Sequence, residues 1–458
     1  MDGQHEFRRP CRARGRLIGF RDTPRRGPIN ELPADVLTTE QVLRARHWST
    51  SFVFIGWDWA TETHDVTVMD HLGARVDRWE LAHTEEGITK TLARLARYGA
   101  PADLPVAIET TRGLVVDRLL AAGHPVVPVH PNAFHAMRPR WGAAKAKTDA
   151  GDSMKLADYL RTDGHFLPRL EPTDQATLDL QALTRQRADH IEAKVAAVNQ
   201  LAASLDAHWP GGKAVFYELD SDIALAFLER YPTPAAASKL TAGRLQAWCK
   251  RHGYSGNKPG SFLIERLRSA PSAASRLSPA AVEQLIRIQV QLVQGTRATL
   301  RALDKAITEA VKAHPYAPLF ATMPRIGKIN LAQIIGELGP ILERSQTCEQ
   351  FIAEAGVVPV TKASGKSRTV AFRYATNRRA RLAVTTFADN SRHGSDWAAK
   401  IYTDARTRKK RHPHAIRILA RAWLRVIWAC WRDGACYDPA THQANGKINT
   451  SADTPVAA

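Results

Sequence analysis

The strongest constraint on this chain is the stretch Phe52-Val53-Phe54-Ile55-Gly56-Trp57-Asp58-Trp59. It is apolar, rich in aromatic and β-branched residues, and too short for a helix, which predicts a buried strand. The run closes on an acid. In open α/β sheets the chemistry collects at the carboxyl ends of the strands, so Asp58 is expected at the reactive edge of a sheet.

The chain then alternates. His64–Asp70 reads as a second strand, and a turn at Leu72-Gly73 leads to a third at Arg75–Leu81. Gly87–Tyr98 is amphipathic, with Ile88, Leu92 and Leu95 on one face, and Gly99 ends it. Pro105–Glu109 is a fourth strand that also closes on an acid. Leu114–Ala122 is a helix stopped by Gly123, and Pro125–Val129 a fifth strand. The order βββαβαβ followed by a helix is the ribonuclease H-like arrangement. In it the first and fourth strands run side by side and parallel, so Asp58 and Glu109 are expected as neighbours. Next comes Lys145-Ala146-Lys147-Thr148-Asp149-Ala150-Gly151-Asp152-Ser153, entering the helical Met154–Arg161. Thr148 is a candidate N-cap. Asp149 and Asp152, three apart, share a helix face. Lys145 and Lys147 are candidates for phosphate contacts.

Carboxylates crowded together repel unless a cation lies among them. Phosphoryl transfer by divalent ions needs such convergence, because the ions clamp the attacking and leaving oxygens. One acid at a strand end is commonplace. Two strand-end acids together with a D-x-x-D helix in this topology predict a metal site of Asp58, Glu109, Asp149 and Asp152, with Mg²⁺ as the cofactor.

The remainder is largely helical. Residues 175–209 contain neither Pro nor Gly, and Ile191, Val195, Val198, Ala202, Leu205 and Trp209 step like a coiled-coil seam. A second long helix is expected at 280–313, with Leu285, Ile288, Leu292, Leu300, Leu303, Ile307 and Val311 on its apolar face. The two helices either pair as an antiparallel hairpin or meet another subunit. Residues 210–279 form an insert of short helical pieces. From 315 the texture changes. Met323-Pro324-Arg325-Ile326-Gly327-Lys328 leads into a helix and is similar to a helix-hairpin-helix turn, whose amides hold a phosphate; Arg325 and Lys328 are its candidate contacts. The loop Pro359–Arg368 carries Ser364 between Ala and Gly, a candidate nucleophile with Ser367 as its rival. Residues 362–411 hold fourteen Lys or Arg against three acids. Lys362, Lys366, Arg368, Arg378 and Arg379 are the expected nucleic-acid contacts there. His414–Trp431 closes the domain, its tryptophans expected in the core.

Composition narrows the partners. Lys and Arg total 64 against 45 acids among 458 residues, a formal charge of +19, which favours polyanions. No apolar run is long enough to span a bilayer. Five scattered cysteines fit neither a disulfide framework nor a zinc knuckle, consistent with a reduced, cytoplasmic setting. Residues 1–48 read as a basic disordered tail and 441–458 as a loose one.

These blocks together resemble the DEDD transposases of insertion-sequence family one hundred and ten. The resemblance spans about 50–440. It rests on Ile55-Gly56-Trp57-Asp58, Ile108-Glu109-Thr110-Thr111, Lys147-Thr148-Asp149-Ala150-Gly151-Asp152, Met323-Pro324-Arg325-Ile326-Gly327, Ala355-Gly356-Val357-Val358-Pro359 and Ala363-Ser364-Gly365, in that order. It implies a RuvC-like α/β domain at 49–168, a coiled-coil region at 169–314 interrupted by the insert, and a mostly α serine transposase domain at 315–440. It also implies Mg²⁺ held by the four acids and a phosphoserine link formed by Ser364. Finally it implies a bridge RNA paired with target and donor DNA, and a homo-oligomer, dimer or tetramer, whose subunits build a composite site. The long N-terminal extension and the large insert depart from a typical member.

The expected function is therefore a Mg²⁺-dependent DNA transposase or recombinase, RNA-guided, acting in the bacterial cytoplasm and at the nucleoid. Two rivals stand beside it: a RuvC-like structure-specific nuclease using metal-activated water, and a non-catalytic nucleic-acid-binding protein.

Overall fold

The computed structural model describes residues 52–142, 149–170, 172–365 and 367–440, with Asp149 and Ala150 described by their backbone alone. The two expected tails, Lys145, Lys147, Thr148 and Lys366 lie outside the described residues. The chain divides into two compact units that meet in sequence between Pro172 and Thr173.

The N-terminal unit is a five-stranded sheet with helices. In order it contains β1 (Val53–Asp58), β2 (Thr63–Asp70), β3 (Arg75–Ala82), α1 (Glu85–Leu95), β4 (Val106–Ile108), α2 (Leu114–Ala121), β5 (Val126–Pro128), α3 (Pro131–Met137) and α4 (Asp149–Asp163). The strands lie in the order β3-β2-β1-β4-β5. The first three form an antiparallel meander, and β4 and β5 run parallel to β1. This order and polarity are compatible with a ribonuclease H-like domain. The alternation along β1 explains its place at the centre. Ile55 and Trp57 are fully buried in one core with α1 and α2, while Phe54 faces a second core built on α4. A strand buried on both faces must read as the continuous apolar run seen in the sequence.

The C-terminal unit is helical apart from one hairpin. It begins with α5 (Gln175–His208), passes through α6 (Pro210–Ala214), α7 (Asp222–Arg230), α8 (Pro234–Ala237), α9 (Ala242–Arg251) and α10 (Gly260–Ser269), and returns along α11 (Pro279–Ala313). Thr177 meets His314 at 3.0 Å and Arg187 pairs with Asp304, so the two long helices run antiparallel. The buried stripe differs from the expected seam. Leu180, Thr184, Ala197, Leu201 and Leu205 are buried, whereas Ile191 and Val195 are exposed. On α11 the buried positions are Val282, Ile286, Val290, Val293, Ile307 and Val311, and Ile288 and Leu292 face outward. The reason is the insert. Its Leu225, Phe227, Leu245 and Trp248 join Leu201, Leu205, Ile286 and Val290 in one core, and so choose which stripe of an alanine-rich helix is covered.

A short α12 (Ala317–Phe320) precedes α13 (Lys328–Arg344), and then come α14 (Cys348–Glu354), β6 (Val360–Ser364), β7 (Ser367–Ala371), α15 (Arg378–Ser391), α16 (Asp396–Thr407) and α17 (His412–Asp433). Their core centres on Trp423, fully buried against Phe387 and Trp397. Its indole N–H donates to Ser391 Oγ at 2.8 Å, which makes burial of that polar atom tolerable. The expected loop around Ser364 is a two-stranded antiparallel hairpin.

Candidate active site

The site is built from the sheet upward. Trp57 of β1 lies beside Ile108 of β4 in parallel register, so Asp58, the last residue of β1, and Glu109, the residue after β4, come next to each other at the same end of the sheet. Both are half-buried. The alternation that buries Ile55 and Trp57 on one face turns Phe54, Gly56 and Asp58 to the other, where α4 packs. The crossing is very close. A Cβ on Gly56 would stand 1.9 Å from the carbonyl oxygen of Ser153 and 2.6 Å from the amide of Ala157. Only glycine permits that approach. Further along, Phe54 shares a core with Leu156, Tyr159 and Leu160, so α4 runs back down the strand and its first turn lies toward the end that carries Asp58.

That first turn begins at Asp149 and includes Asp152. Asp152 is buried, with 3% of its surface exposed, yet both its oxygens are engaged by cations. Arg138 Nη2 donates to Oδ2 at 2.6 Å, and Lys155 Nζ to Oδ1 at 3.1 Å. A carboxylate taken out of water demands positive charge, and this one has two sources in the protein itself. Asp149 is described by its backbone alone, which places it one turn before Ser153 on the same helix.

A fifth acid escaped the sequence reading. Asp65 faces Asp58 directly across the β1–β2 ladder and is 2% exposed. Arg78 grips its carboxylate in a forked ion pair. Ser153 Oγ donates to Asp65 Oδ1 at 2.5 Å and lies 2.8 Å from Thr67 Oγ1. This buried network ties α4 to β2 at the level of the strand-end acids. The signal available in the sequence was period-two alternation: in a hairpin, the residue opposite a strand-end acid shares its face. Among the described side chains, which do not include that of Asp149, no group of three or more His, Cys, Asp or Glu lies close enough to hold a metal ion.

The C-terminal candidates separate by face. In the hairpin, Ser364 pairs with Ser367, Lys362 with Thr369, and Ala363 with Arg368. Ser364, Ser367 and Lys362 therefore share one face, and Arg368 belongs to the other. All of these are exposed. Gly365 follows Ser364 with φ 53°, the left-handed conformation that a tight hairpin turn requires. At the turn before α13, Arg325 adopts φ 57° and its Cγ lies 2.8 Å from where a Cβ on Gly394 would stand. Lys328 is the first residue of α13. Arg379 is paired with Asp189 at 2.7 Å, so its charge is partly spent inside the unit. Among the described residues no helix is long and apolar enough to cross a membrane.

Comparison with known proteins agrees on what such a chain is. Residues 55–210 match a DEDD transposase model of IS110, and residues 317–403 match the transposase model of the IS116/IS110/IS902 family. The Streptomyces coelicolor mini-circle protein for IS117 is 30% identical over 402 residues, covering 85% of this chain and 97% of that protein. The IS900 insertion-element protein of Mycobacterium paratuberculosis is 25% identical over 399 residues, covering 86% and 98%. A Streptomyces coelicolor protein of insertion element IS110 is 30% identical over 317 residues, covering 64% and 73%. The chain is thus a DNA transposase. It belongs to the IS116/IS110/IS902 family.

Proposed function

We propose that this transposase cuts and rejoins DNA strands by a Mg²⁺-dependent reaction in which Ser364 is the nucleophile. The observation that carries the reading is the parallel register of β1 and β4, which sets Asp58 and Glu109 abreast beneath the first turn of α4. Asp58, Glu109, Asp149 and Asp152 supply only carboxylate oxygens, the donor set that a hard divalent cation takes. Both oxygens of buried Asp152 are held by Arg138 and Lys155, so one of these would have to give way for Asp152 to reach the ion. When bound, Mg²⁺ would offset the charge that develops on the phosphoryl oxygens.

In the cleavage step the Ser364 oxygen forms a bond to phosphorus. The bond from phosphorus to the departing DNA oxygen breaks, and the serine proton passes to solvent or to the leaving oxygen. Reversal by a second strand end rejoins the DNA. Lys362, on the serine's face of the hairpin, is suited to hold the phosphate, with Lys145, Lys147, Lys366, Arg368, Arg378 and Arg379 along the flanking backbone. Arg325 and Lys328 serve a helix-hairpin-helix-like contact. In this reading a bridge RNA supplies sequence recognition, and the protein reads backbone and shape. The exposed Ile191, Val195, Ile288 and Leu292 of the long-helix pair favour assembly into a homo-oligomer, which light scattering with nucleic acid present would test. The domain limits at 49–168, 169–314 and 315–440 belong to the same reading, as does a cytoplasmic, nucleoid-associated location.

The decisive experiment is strand cleavage with Mg²⁺ and matched RNA and DNA. Asp58→Asn should lower the rate roughly 100-fold or more. Ser364→Ala should abolish the covalent protein–DNA adduct, seen as a shifted band on a denaturing gel. Full cleavage by Ser364→Ala would leave metal-activated water as the nucleophile and remove the serine mechanism.

A further inference from the structure

At the foot of the serine hairpin, the C-terminal unit has a cleft of about 570 Å³ whose cationic lining includes Arg378, Arg381 and Arg417. It shares Pro413 and Arg417 with a second hollow of about 360 Å³ edged by Lys409, Lys410 and Arg411. Arg381 donates to the backbone carbonyl of Arg373 at 2.7 Å, but that neutral acceptor leaves the clustered charge in place. Among the described residues no carboxylate pairs with any of the three, and the one acid in the cleft, Asp389, is bound to Arg392 at 2.7 Å with His412 at 3.8 Å. Burial pulls the Arg417 guanidinium below its ordinary value. Burial, and then repulsion from Arg417 and Arg378, do the same to Arg381. Cations gathered in this way are short of an anion.

Aromatic side chains stand among them. Phe372, the residue after β7, mounts two of the guanidiniums, with Arg381 at 4.6 Å and Arg417 at 5.0 Å from its ring centre. Tyr374 meets Phe372 edge-on at 5.0 Å and is 76% exposed. Beyond that edge contact, most of the tyrosine ring is left open to solvent beside the basic cleft. Double-stranded nucleic acid could use the charges but not the ring, because its bases are already stacked. Alternation of exposed aromatic and arginine is the pattern that single strands require.

We propose that this cleft holds a single-stranded stretch of DNA, its phosphates on Arg381 and Arg417 and one unstacked base against Tyr374. The choice of DNA rests on the reading of Ser364 above: the hairpin that leads into Phe372 also carries that serine, so a strand held at Ser364 can run along the hairpin to the cleft. The cleft would then keep the flank of the cut strand from re-pairing.

The test is fluorescence anisotropy with the full chain and a dye-labelled thymidine oligonucleotide of roughly 16 nucleotides, beside a uridine RNA of equal length and a DNA duplex. Tyr374→Ala should weaken the single-stranded DNA on the order of 10-fold. Tyr374→Phe should bind like the parent, and the duplex should not distinguish the three proteins. Arg417→Ala should weaken both DNA forms and lower the salt slope on the single strand by roughly 0.7. Undiminished binding of the single strand by Tyr374→Ala, or an equal loss on the duplex, would overturn the proposal. A tyrosine effect confined to RNA would overturn the assignment to DNA. Failure of the serine mechanism would appear in cleavage and failure of the cleft in binding, so the two are read separately.

Discussion

The acidic edge of the N-terminal unit and the serine hairpin of the C-terminal unit are built on opposite principles. The first is fixed from every side. Asp58 and Glu109 leave adjacent strands in register, α4 lies against Gly56 with no space to spare, and the Asp65–Ser153–Thr67 network is buried. The second is almost free of support. Every described residue of β6 after Val360, and all of β7, is exposed, Val370 by 62%. A lone two-stranded hairpin is at best marginally stable in water. The contrast teaches where each unit takes its precision. Residues packed between the sheet and α4 are set during folding, whereas the exposed hairpin takes little of its geometry from its own unit.

The most severe way to break this contrast is Gly56→Ala. One methyl group would strike the backbone of α4, with no flexible side chain to yield. The cost should reach the top of the range of about 1–3 kcal/mol for overpacking, or pass it. Thermal unfolding followed by circular dichroism should show the N-terminal unit melting early, with DNA cleavage lost. An unchanged melt would mean that α4 does not press on β1 as described.

Asp65→Asn should come next. The mutation keeps the shape but removes the charge that Arg78 grips, and weakens the acceptor for Ser153. Breaking a fully buried pair costs about 3–5 kcal/mol. The Arg78 side chain is 32% exposed, so solvent reclaims part of this and about 2 kcal/mol is expected. Activity should fall further than stability, because Ser153 adjoins Asp152. If both fall in proportion, the network is scaffolding and nothing more.

A smaller effect, of the same sign in both units, comes with pH. His64 and His124 in the N-terminal unit and His314 in the C-terminal unit are buried, and burial lowers each below the ordinary value of 6.5. For His64, repulsion from His83 adds to this. The folded chain therefore resists protons that the unfolded chain accepts. Between the lowered values and 6.5 the unfolded state binds more protons, so stability rises with pH there. The contribution is complete above the ordinary value and is lost as the pH falls from there toward the lowered values. Denaturant titrations at pH 7.5 and 5.5 should show the loss, and His124→Gln should reduce it. A midpoint independent of pH would remove these histidines from the account.

How far all this could be read from the sequence follows the same division. The sheet was legible because a strand buried on both faces leaves an unbroken apolar run, and because strand polarity in this element order makes neighbours of Asp58 and Glu109. Asp65 was not legible, since an acid inside a strand pattern looks like an outward residue until its partners Arg78 and Ser153 are known. The long helices were legible but their phase was not. Alanine-rich stretches offer several equivalent stripes, and the insert selects the one through Ala197, Leu201 and Leu205. Ser364 read as a loop residue because Thr361-Lys362-Ala363-Ser364 has no apolar face, and hydrophobic alternation reports a strand only where a core is present to impose it.

The gentlest change sharpens the comparison most. Gly365 follows Ser364 at φ 53°, and its position is open, with nothing near where a Cβ would stand. Gly365→Ala meets no neighbour, and its cost is the left-handed backbone alone, about 1 kcal/mol. No described residue of the two hairpin strands belongs to the core around Trp423, so that penalty should appear as altered hairpin geometry while the melt of the unit stays in place. Covalent capture of DNA by Ser364 should then fall several-fold with the melting temperature unchanged. The reverse outcome, a lower melting temperature with full capture, would show that the hairpin is part of the folded core and that its exposure is no guide to how it works.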